Sequence, residues 1–221
     1  MKAMQLVEAN APLQLLDVDS ADPNPDEVKV KVAGCGVCHT DIGFWKDGVP
    51  TKKGLPLTLG HEISGTVASA GSDFEHLVGK SVIVPAVIPC GNCVLCEGGR
   101  GNVCRAQLMP GNDVDGGFAE FITVPGRGLC LVDDLGGYDL PELSVIADAV
   151  TTPYQAITRS GLQQGELAIV IGVGGVGTYC VQVAAAFGAK VVAIDVDQAK
   201  LDAVSDYGAD LSINSGEVDF K

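Results

Sequence analysis

The sequence predicts an α/β protein in which a β-rich segment is followed by the beginning of a doubly wound parallel sheet. Residues 1 to about 150 contain short apolar runs bounded by glycine and proline, which is typical of strands and turns. From about residue 153 the pattern changes to alternating strands and helices, which favours parallel strands joined by crossover helices. We therefore expect two domains, at residues 1–152 and 153–221.

The β-rich segment contains four clear strand candidates. The run VKVKV at 28–32 alternates apolar and polar residues, as expected for a half-buried strand. The runs at 63–71, 81–88 and 116–125 are rich in β-forming residues and are bounded by glycine or proline. These runs predict a first domain built mainly from strands.

The second domain is predicted to contain three strands and two helices. LAIVI at 167–171 is interpreted as a short buried strand, followed by a glycine-rich turn and a helix through Phe187. A strand at 191–195, a helix at 197–208 and a strand at 211–213 complete the pattern. Because a doubly wound nucleotide domain has about six strands, we expect the sequence to be the front part of a longer protein.

Composition and charge narrow the functional classes. The chain has 221 residues and a formal net charge of -14, which disfavours nucleic acid as a partner. No apolar run reaches the roughly 18 residues of a membrane span, and the first twelve residues lack a signal-peptide core. We therefore expect a cytoplasmic protein without a membrane partner. Its eight cysteines then favour metal binding or catalysis over disulfides.

A glycine-rich turn predicts a dinucleotide site. The segment GVGGVG at 172–177 follows a predicted strand and opens a predicted helix, so its glycines can bring backbone close to a pyrophosphate. Asp195 ends the next strand, where a carboxylate accepts hydrogen bonds from a ribose 2′-hydroxyl and repels a 2′-phosphate; this favours NAD. The alternative is a glycine-rich turn without a ligand. The candidate cofactor-binding residues are Gly172, Gly174, Gly175, Val176, Gly177 and Asp195.

Four closely spaced cysteines predict a structural zinc site. Cys90, Cys93, Cys96 and Cys104 can supply four thiolates to one tetrahedral ion and close its coordination shell. An iron–sulfur cluster is the alternative, but the last spacing is too long for the ferredoxin pattern, and Arg105 stands where that pattern has proline. Four free thiols without a metal are the remaining alternative.

These motifs together resemble those of the zinc-dependent medium-chain alcohol dehydrogenases. CHTD at 38–41, GHE at 60–62, the four cysteines and GVGGVG occur in the order and spacing of that family, and the resemblance covers the whole chain. It implies a GroES-like β-rich catalytic domain followed by a Rossmann domain, here only partial. It also implies an active site in the cleft between the domains, two zinc ions per chain and NAD.

The resemblance implies three ligands for a catalytic zinc. Cys38 and His61 match the first two ligand positions. Asp148 falls on the third position, where many members of the family have cysteine. One thiolate and one carboxylate still neutralise Zn²⁺, although oxygen is a harder donor. The alternative is that Asp148 caps a helix beginning near Thr151.

The resemblance also implies roles for four neighbouring residues. Thr40 matches the hydroxyl that relays the substrate proton, and His39 matches a residue near the cofactor pyrophosphate. Glu62 matches an acidic neighbour of the zinc that sometimes approaches the metal. Asp41 matches the carboxylate that orients a zinc-bound histidine.

The remaining cysteines and one histidine receive structural interpretations. Cys35, Cys130 and Cys180 are expected to be packing residues, and His76 is expected to be solvated. A redox pair formed by Cys35 and Cys38 is the alternative, although no thioredoxin-like pattern surrounds them.

A narrower resemblance concerns the substrate. The segment at 83–113 and those that follow it resemble the 6-hydroxycyclohex-1-ene-1-carbonyl-CoA dehydrogenases of anaerobic benzoyl-CoA degradation, which form the 6-oxo product with NAD. Lys52 and Lys53 are the candidate contacts for the CoA phosphates, with Arg100, Arg105 and Arg127 as further cations. The alternatives are a dehydrogenase of a simple alcohol and an inactive zinc-stabilised fragment. We expect the full-length protein to form a homo-oligomer.

Overall fold

The computed structural model describes residues 1–218 and divides into two compact units, Met1–Asp148 and Ala149–Lys221. The predicted boundary lies at residue 152, close to this division. Within the described residues, no helix combines the length and apolar character that crossing a membrane requires.

The first unit is mainly β-structure. Its strands are β1 (Lys2–Leu6), β2 (Gln14–Asp17), β3 (Glu27–Gly36), β4 (Leu57–Thr58), β5 (Glu62–Ala70), β6 (Ser81–Val84), β7 (Phe121–Pro125) and β8 (Cys130–Leu131). Its α-helices are α1 (His39–Lys46) and α2 (Val94–Glu97), and its 3₁₀ helices are Glu75–Leu77, Gly101–Val103 and Leu140–Ala147.

The strands of this unit form two antiparallel sheets. A five-stranded sheet has the order β7-β3-β5-β6-β8, and a three-stranded sheet has the order β2-β1-β4. The alternation predicted at 28–32 is realised, since Val28 and Val30 are fully buried while Lys31 is exposed. The two valines pack with Ile63 and Val67 of β5 in one apolar cluster, so the contact between β3 and β5 forms part of the core of this unit.

Two of the predicted strands are shorter than their apolar runs. β6 ends at Val84, directly before Pro85, which has no amide hydrogen to donate to a ladder. β7 begins only at Phe121, because the preceding glycines bond elsewhere: Gly116 N donates to Thr58 O at 2.7 Å and Gly117 N donates to Gly60 O at 2.8 Å. The predicted strands at 81–88 and 116–125 are therefore wrong over about half their length.

The second unit is a parallel sheet with helices, as predicted. Its elements are α3 (Thr151–Ser160), β9 (Leu167–Ile171), α4 (Gly175–Ala186), β10 (Lys190–Asp195), α5 (Gln198–Ser205) and β11 (Leu211–Asn214). The strand order is β11-β10-β9, with both pairings parallel. Val181 of α4, Val191 and Ala193 of β10, and Leu201 of α5 are fully buried in its core.

The prediction that 167–171 is a buried strand is wrong for the described residues. Leu167, Ile169 and Ile171 are 60%, 57% and 80% exposed, and only Val170 of this strand is buried. The reason is position, because β9 lies at the edge of the three described strands and pairs there only with β10.

Candidate active site

Four potential metal ligands of the first unit converge at one point. The ligand atoms of Cys38, His61, Glu62 and Asp148 all lie within 4.8 Å of one another. Cys38 precedes helix α1, and Asp148 follows the 3₁₀ helix Leu140–Ala147. Glu62 is the first residue of β5, and His61 directly precedes that strand. The fold thus brings together residues that are far apart in the sequence.

His61 provides the test of whether a metal fits. Its side chain is 1% exposed, and neither ring nitrogen makes a directed hydrogen bond among the described residues. Nδ1 lies 3.6 Å from Asp41 Oδ1, and Nε2 lies 3.4 Å from Asp148 Oδ2. Since a buried ring nitrogen without a hydrogen bond is costly, a zinc ion bound at Nε2 would give that nitrogen a partner, while Nδ1 would still face Asp41.

The electrostatics of His61 also favour a cation. Burial has the largest influence on its pKa and lowers it, but the carboxylates of Asp148 and Asp41 outweigh burial and raise the pKa to about 10. The surroundings therefore attract positive charge to this ring. A bound divalent cation would take the place of the proton at Nε2.

Asp41 braces the backbone beside two of these ligands. Its side chain is buried, with Oδ2 accepting from Cys38 N at 2.9 Å and Oδ1 accepting from Gly60 N at 3.0 Å. Asp41 is the third residue of α1, where a carboxylate can reach back to the amide that precedes the helix. One side chain thus fixes the chain next to both Cys38 and His61.

Helix α1 also carries the two other candidate residues. Thr40 is half-buried, and its Oγ1 lies 3.7 Å from Cys38 Sγ, so the hydroxyl stands beside the candidate metal site. His39 is exposed at the first residue of the helix, and its role toward a pyrophosphate stays a prediction. The N-cap position of α3 belongs to Val150, and the choice between the two roles of Asp148 stays a prediction.

Gly36 is a site residue that the sequence analysis missed. It pairs with Glu62 across β3 and β5, and a Cβ atom at Gly36 would overlap Glu62 Oε2. A glycine inside a strand pattern is the sequence signal for such a close approach. Its absence of a side chain leaves room for the Glu62 carboxylate beside the candidate metal site.

Substitution of Gly36 by alanine is expected to displace the Glu62 carboxylate. Because altering groups around a metal costs 10–100-fold in affinity, we expect roughly 10-fold weaker zinc retention in a chelator titration. Gly43→Ala is the matched control, since its Cβ would meet only Val49 Cγ2 at 3.7 Å, an ordinary contact. Equal zinc retention in both variants would contradict the prediction.

The four cysteines at 90–104 form a compact cluster. The Sγ–Sγ distances are 3.5 Å for Cys90–Cys104, 3.5 Å for Cys93–Cys96, 3.8 Å for Cys93–Cys104 and 3.9 Å for Cys90–Cys96. Four sulfurs around one zinc at about 2.3 Å would stand about 3.8 Å apart, so this arrangement fits a tetrahedral ion. The backbone amide of Cys90 is the main influence that lowers the pKa of Cys104 to about 6, which favours the thiolate there, whereas burial and the Cys93 thiol raise the pKa of Cys96 to about 11.

The glycine-rich turn of the second unit is open toward solvent. Gly172 has φ 86°, and a Cβ at Gly177 would overlap Gly172 O, so both positions require glycine. Gly174 is the N-cap of α4, and neither Gly174 nor Gly175 has an atom within 4 Å of a Cβ position. Val176 is exposed on the first turn of the helix. This leaves room for a ligand at the helix N-terminus.

Asp195 is tied to this turn, a contact that the sequence did not reveal. Oδ2 accepts from Val173 N at 2.8 Å, and Oδ1 accepts from Val196 N at 2.8 Å and Asp197 N at 3.0 Å. The hydrogen bonds from Val173 and Asp197 are the main influences that lower the pKa of Asp195. The carboxylate is therefore anionic at neutral pH and joins the turn to the end of β10.

The two lysines expected to bind CoA phosphates have carboxylate partners. Lys52 Nζ lies 2.7 Å from Asp113 Oδ1, and Lys53 Nζ lies 2.8 Å from Asp115 Oδ1. Backbone bonds from both lysines to Asn112 join the same two loops. The positive charges that the sequence suggested are thus paired within the first unit.

The structure also describes the three cysteines predicted to be packing residues and the histidine predicted to be solvated. Burial raises the pKa of Cys35 to about 12, which is unlike a reactive redox thiol, and Cys180 is half-buried in the core of the second unit. His76 is exposed, as expected. The prediction for Cys130 is wrong: it is exposed, because β8 is a two-residue strand at the sheet edge.

Comparison with known protein families identifies the class of the chain. Residues 24–134 match the alcohol dehydrogenase GroES-like domain, and residues 175–221 match the zinc-binding dehydrogenase domain. The chain belongs to the zinc-binding medium-chain alcohol dehydrogenase family. Its fold is a GroES-like β domain followed by a Rossmann-type parallel sheet, which confirms the predicted fold class.

Individual relatives cover nearly all of this chain. An alcohol dehydrogenase of Geobacillus stearothermophilus is 36% identical over 97% of the chain and 64% of its own length. An NAD-dependent alcohol dehydrogenase of Sulfurisphaera tokodaii is 33% identical over 99% of the chain and 65% of its own length. The crystal structure of galactitol-1-phosphate dehydrogenase from Escherichia coli superposes with TM-score 0.90 at 29% identity, over 99% of this chain and 62% of that one. The chain thus spans less than two thirds of the length of these relatives.

Proposed function

We propose that the whole protein is a zinc-dependent dehydrogenase that oxidises a secondary hydroxyl by transferring hydride from the carbon that bears it to NAD. The observation that carries this proposal is the convergence of Cys38, Glu62 and Asp148 on the buried ring of His61. Membership of the zinc-binding dehydrogenase family supports it.

The residues of the first unit divide into ligands and supporting groups. Cys38, His61 and Asp148 would hold the catalytic zinc, with Glu62 as the neighbouring carboxylate. A zinc ion bound there supplies a Lewis acid that lowers the pKa of the substrate hydroxyl. Thr40 Oγ1 stands beside Cys38, where it can accept the hydroxyl proton and pass it outward.

The other metal and cofactor assignments follow from separate groups of residues. Cys90, Cys93, Cys96 and Cys104 would hold a second zinc whose shell is closed, so that it has a structural role. The open turn at 172–177 would hold the NAD pyrophosphate, and the Asp195 carboxylate would accept a hydrogen bond from a ribose hydroxyl. NAD would then be the hydride acceptor.

The substrate is proposed at two levels. The narrower resemblance over 83–113 supports 6-hydroxycyclohex-1-ene-1-carbonyl-CoA, oxidised at its ring hydroxyl. The second candidate is a simple primary or secondary alcohol. The pairing of Lys52 with Asp113 and of Lys53 with Asp115 favours this second candidate, because those lysines lack an unpaired charge for the CoA phosphates.

The test is NADH formation by the protein expressed from its complete reading frame. We expect turnover of a secondary alcohol that disappears after zinc chelation and returns on zinc addition. The thioester and cyclohexanol-type alcohols are compared side by side, with the Lys52→Ala/Lys53→Ala variant as a probe of CoA binding. A thioester preference that this variant abolishes would support the CoA substrate. Turnover of free alcohols alone would leave the simple alcohol, and absence of any zinc-dependent turnover would contradict the proposed function.

A further inference from the structure

Arg127 connects the cysteine lobe, defined as residues 90–104, to the five-stranded sheet. It stands two residues after the end of β7, which pairs with β3. Its Nε donates a hydrogen bond to Pro89 O at 3.2 Å. Its Cδ and Nε also lie 3.4 and 3.6 Å from the Cβ position of Gly91. The side chain therefore contacts the residues on both sides of Cys90.

The cysteine lobe has little packing of its own to hold it in place. Its helix α2 has four residues, none of them buried, and its 3₁₀ helix Gly101–Val103 has none buried either. Within the lobe only Cys104 is buried. Because a segment without an apolar core is not fixed by packing, its geometry depends on the metal and on a few anchoring contacts.

The positive charge of Arg127 also matters for a metal bound in the lobe. Zn²⁺ with four thiolates carries a net charge of about -2, which a neighbouring cation stabilises. The lobe also contains Arg100, but that residue is exposed, and no side-chain bond from it to the lobe appears among the described contacts. Arg127 is held near the first cysteine, because its Nε donates to the carbonyl of Pro89, the residue that precedes Cys90.

We propose that Arg127 is a positioning residue for the structural metal: it fixes the backbone around Cys90 and offsets the negative charge of the zinc–thiolate group. This inference rests on the proposed zinc occupancy of the lobe. Arg127 touches no substrate or cofactor in this assignment, and its effect is on retention of the metal in the lobe.

The experiment uses the protein from its complete reading frame, loaded with zinc, and four forms of it: wild type, Arg127→Met, Arg127→Lys and Arg100→Met. Arg100→Met is the matched control, because it also removes one arginine charge but leaves the contact of Arg127 to Pro89 in place. Each form is challenged with a chelator. Native mass spectrometry then counts the bound zinc ions, and alkylation mapping reports which cysteines have become reactive.

We expect Arg127→Met to weaken zinc retention in the lobe by about 10–100-fold, the usual range for a group that supports metal ligands. Alkylation should rise at the four lobe cysteines and stay unchanged at Cys38. Arg100→Met should behave as wild type. Arg127→Lys should retain zinc better than Arg127→Met, because it keeps the positive charge.

Three results would overturn the inference. The first is equal zinc retention in Arg127→Met and wild type. The second is an equal rise in alkylation at Cys38 and in the lobe, which would show general destabilisation. The third is equal loss from the lysine and methionine variants, which would remove the charge part of the proposal. Wild-type protein without zinc in the lobe would instead contradict the proposed structural metal itself.

Discussion

Replacement of Asp41 by alanine is expected to reduce zinc occupancy of the proposed catalytic site and to lower kcat/KM of the proposed dehydrogenase reaction by about 100-fold. The carboxylate accepts from Cys38 N and Gly60 N, and it faces His61 Nδ1 at 3.6 Å. Its removal leaves the buried Gly60 amide and the half-buried Cys38 amide without an acceptor, which should also lower the free energy of unfolding by roughly 2–4 kcal/mol. Zinc content, kcat/KM and thermal unfolding are measured on the complete protein.

Two further variants test whether the carboxylate of Asp41 itself is required. One keeps the shape of the side chain, and the other removes a different carboxylate at the end of the same helix. Asp41→Asn keeps the shape but turns an amide group toward one of the two backbone donors, so we expect a loss close to that of alanine. Asp47→Ala changes an exposed carboxylate at the end of the same helix and should leave zinc content unchanged. Wild-type zinc content in Asp41→Asn would show that the carboxylate is not required as a double acceptor.

Replacement of Asp195 by serine is expected to weaken NAD binding by about 10–100-fold, the effect of losing hydrogen bonds to a charged acceptor. The carboxylate accepts from Val173 inside the glycine-rich turn and from two amides after β10. Removing its charge should improve binding of NADP relative to NAD. Because the variant also loosens the glycine-rich turn, its affinity for NADP should still be lower than the affinity of the wild type for NAD. Dissociation constants for both cofactors are measured by titration.

Asp210→Ser is the matched control for this prediction. Asp210 Oδ2 accepts from Val191 N at 2.8 Å near the opposite end of the same strand, and this bond is the main influence that lowers its pKa. Its replacement should cost stability without changing the affinity for NAD. If Asp195→Ser binds NAD as tightly as Asp210→Ser does, neither the ribose contact nor the link to the turn contributes to binding.

The parts of the fold that the sequence predicted are those encoded by short-range patterns. The alternation at 28–32 placed two valines in the core, and the strand–glycine–helix order at 167–187 predicted the parallel unit. The same reasoning failed at 81–88 and 116–125, where proline and glycine direct backbone bonds away from the sheet. It also failed for 167–171, because apolar composition does not show whether a strand lies at an edge.

The candidate metal site was predicted only in part for a related reason. Residue types and spacing, read through the family resemblance, singled out Cys38, His61 and Asp148, and the fold brings these three together. The contacts that support these residues were missed or predicted only in part. Gly36 leaves space for the Glu62 carboxylate, and Asp41 accepts hydrogen bonds from Gly60 N as well as from Cys38 N. Both contacts depend on how β3, α1 and β5 pack against each other.

The sequence by itself determined the chemistry that this protein can carry: two sets of metal-ligand side chains, a glycine turn before a helix and an acidic residue after the next strand. Those properties belong to residue types and to motifs along the chain, which folding does not change, although it was the family resemblance that grouped Cys38, His61 and Asp148. Only the tertiary structure decided which charged side chains form ion pairs or hydrogen bonds with other parts of the chain. Lys52 forms an ion pair with Asp113, Asp195 accepts a hydrogen bond from Val173 N, and Arg127 donates one to Pro89 O. The sequence could not show these contacts, because they depend on the packing of segments that are distant in the chain.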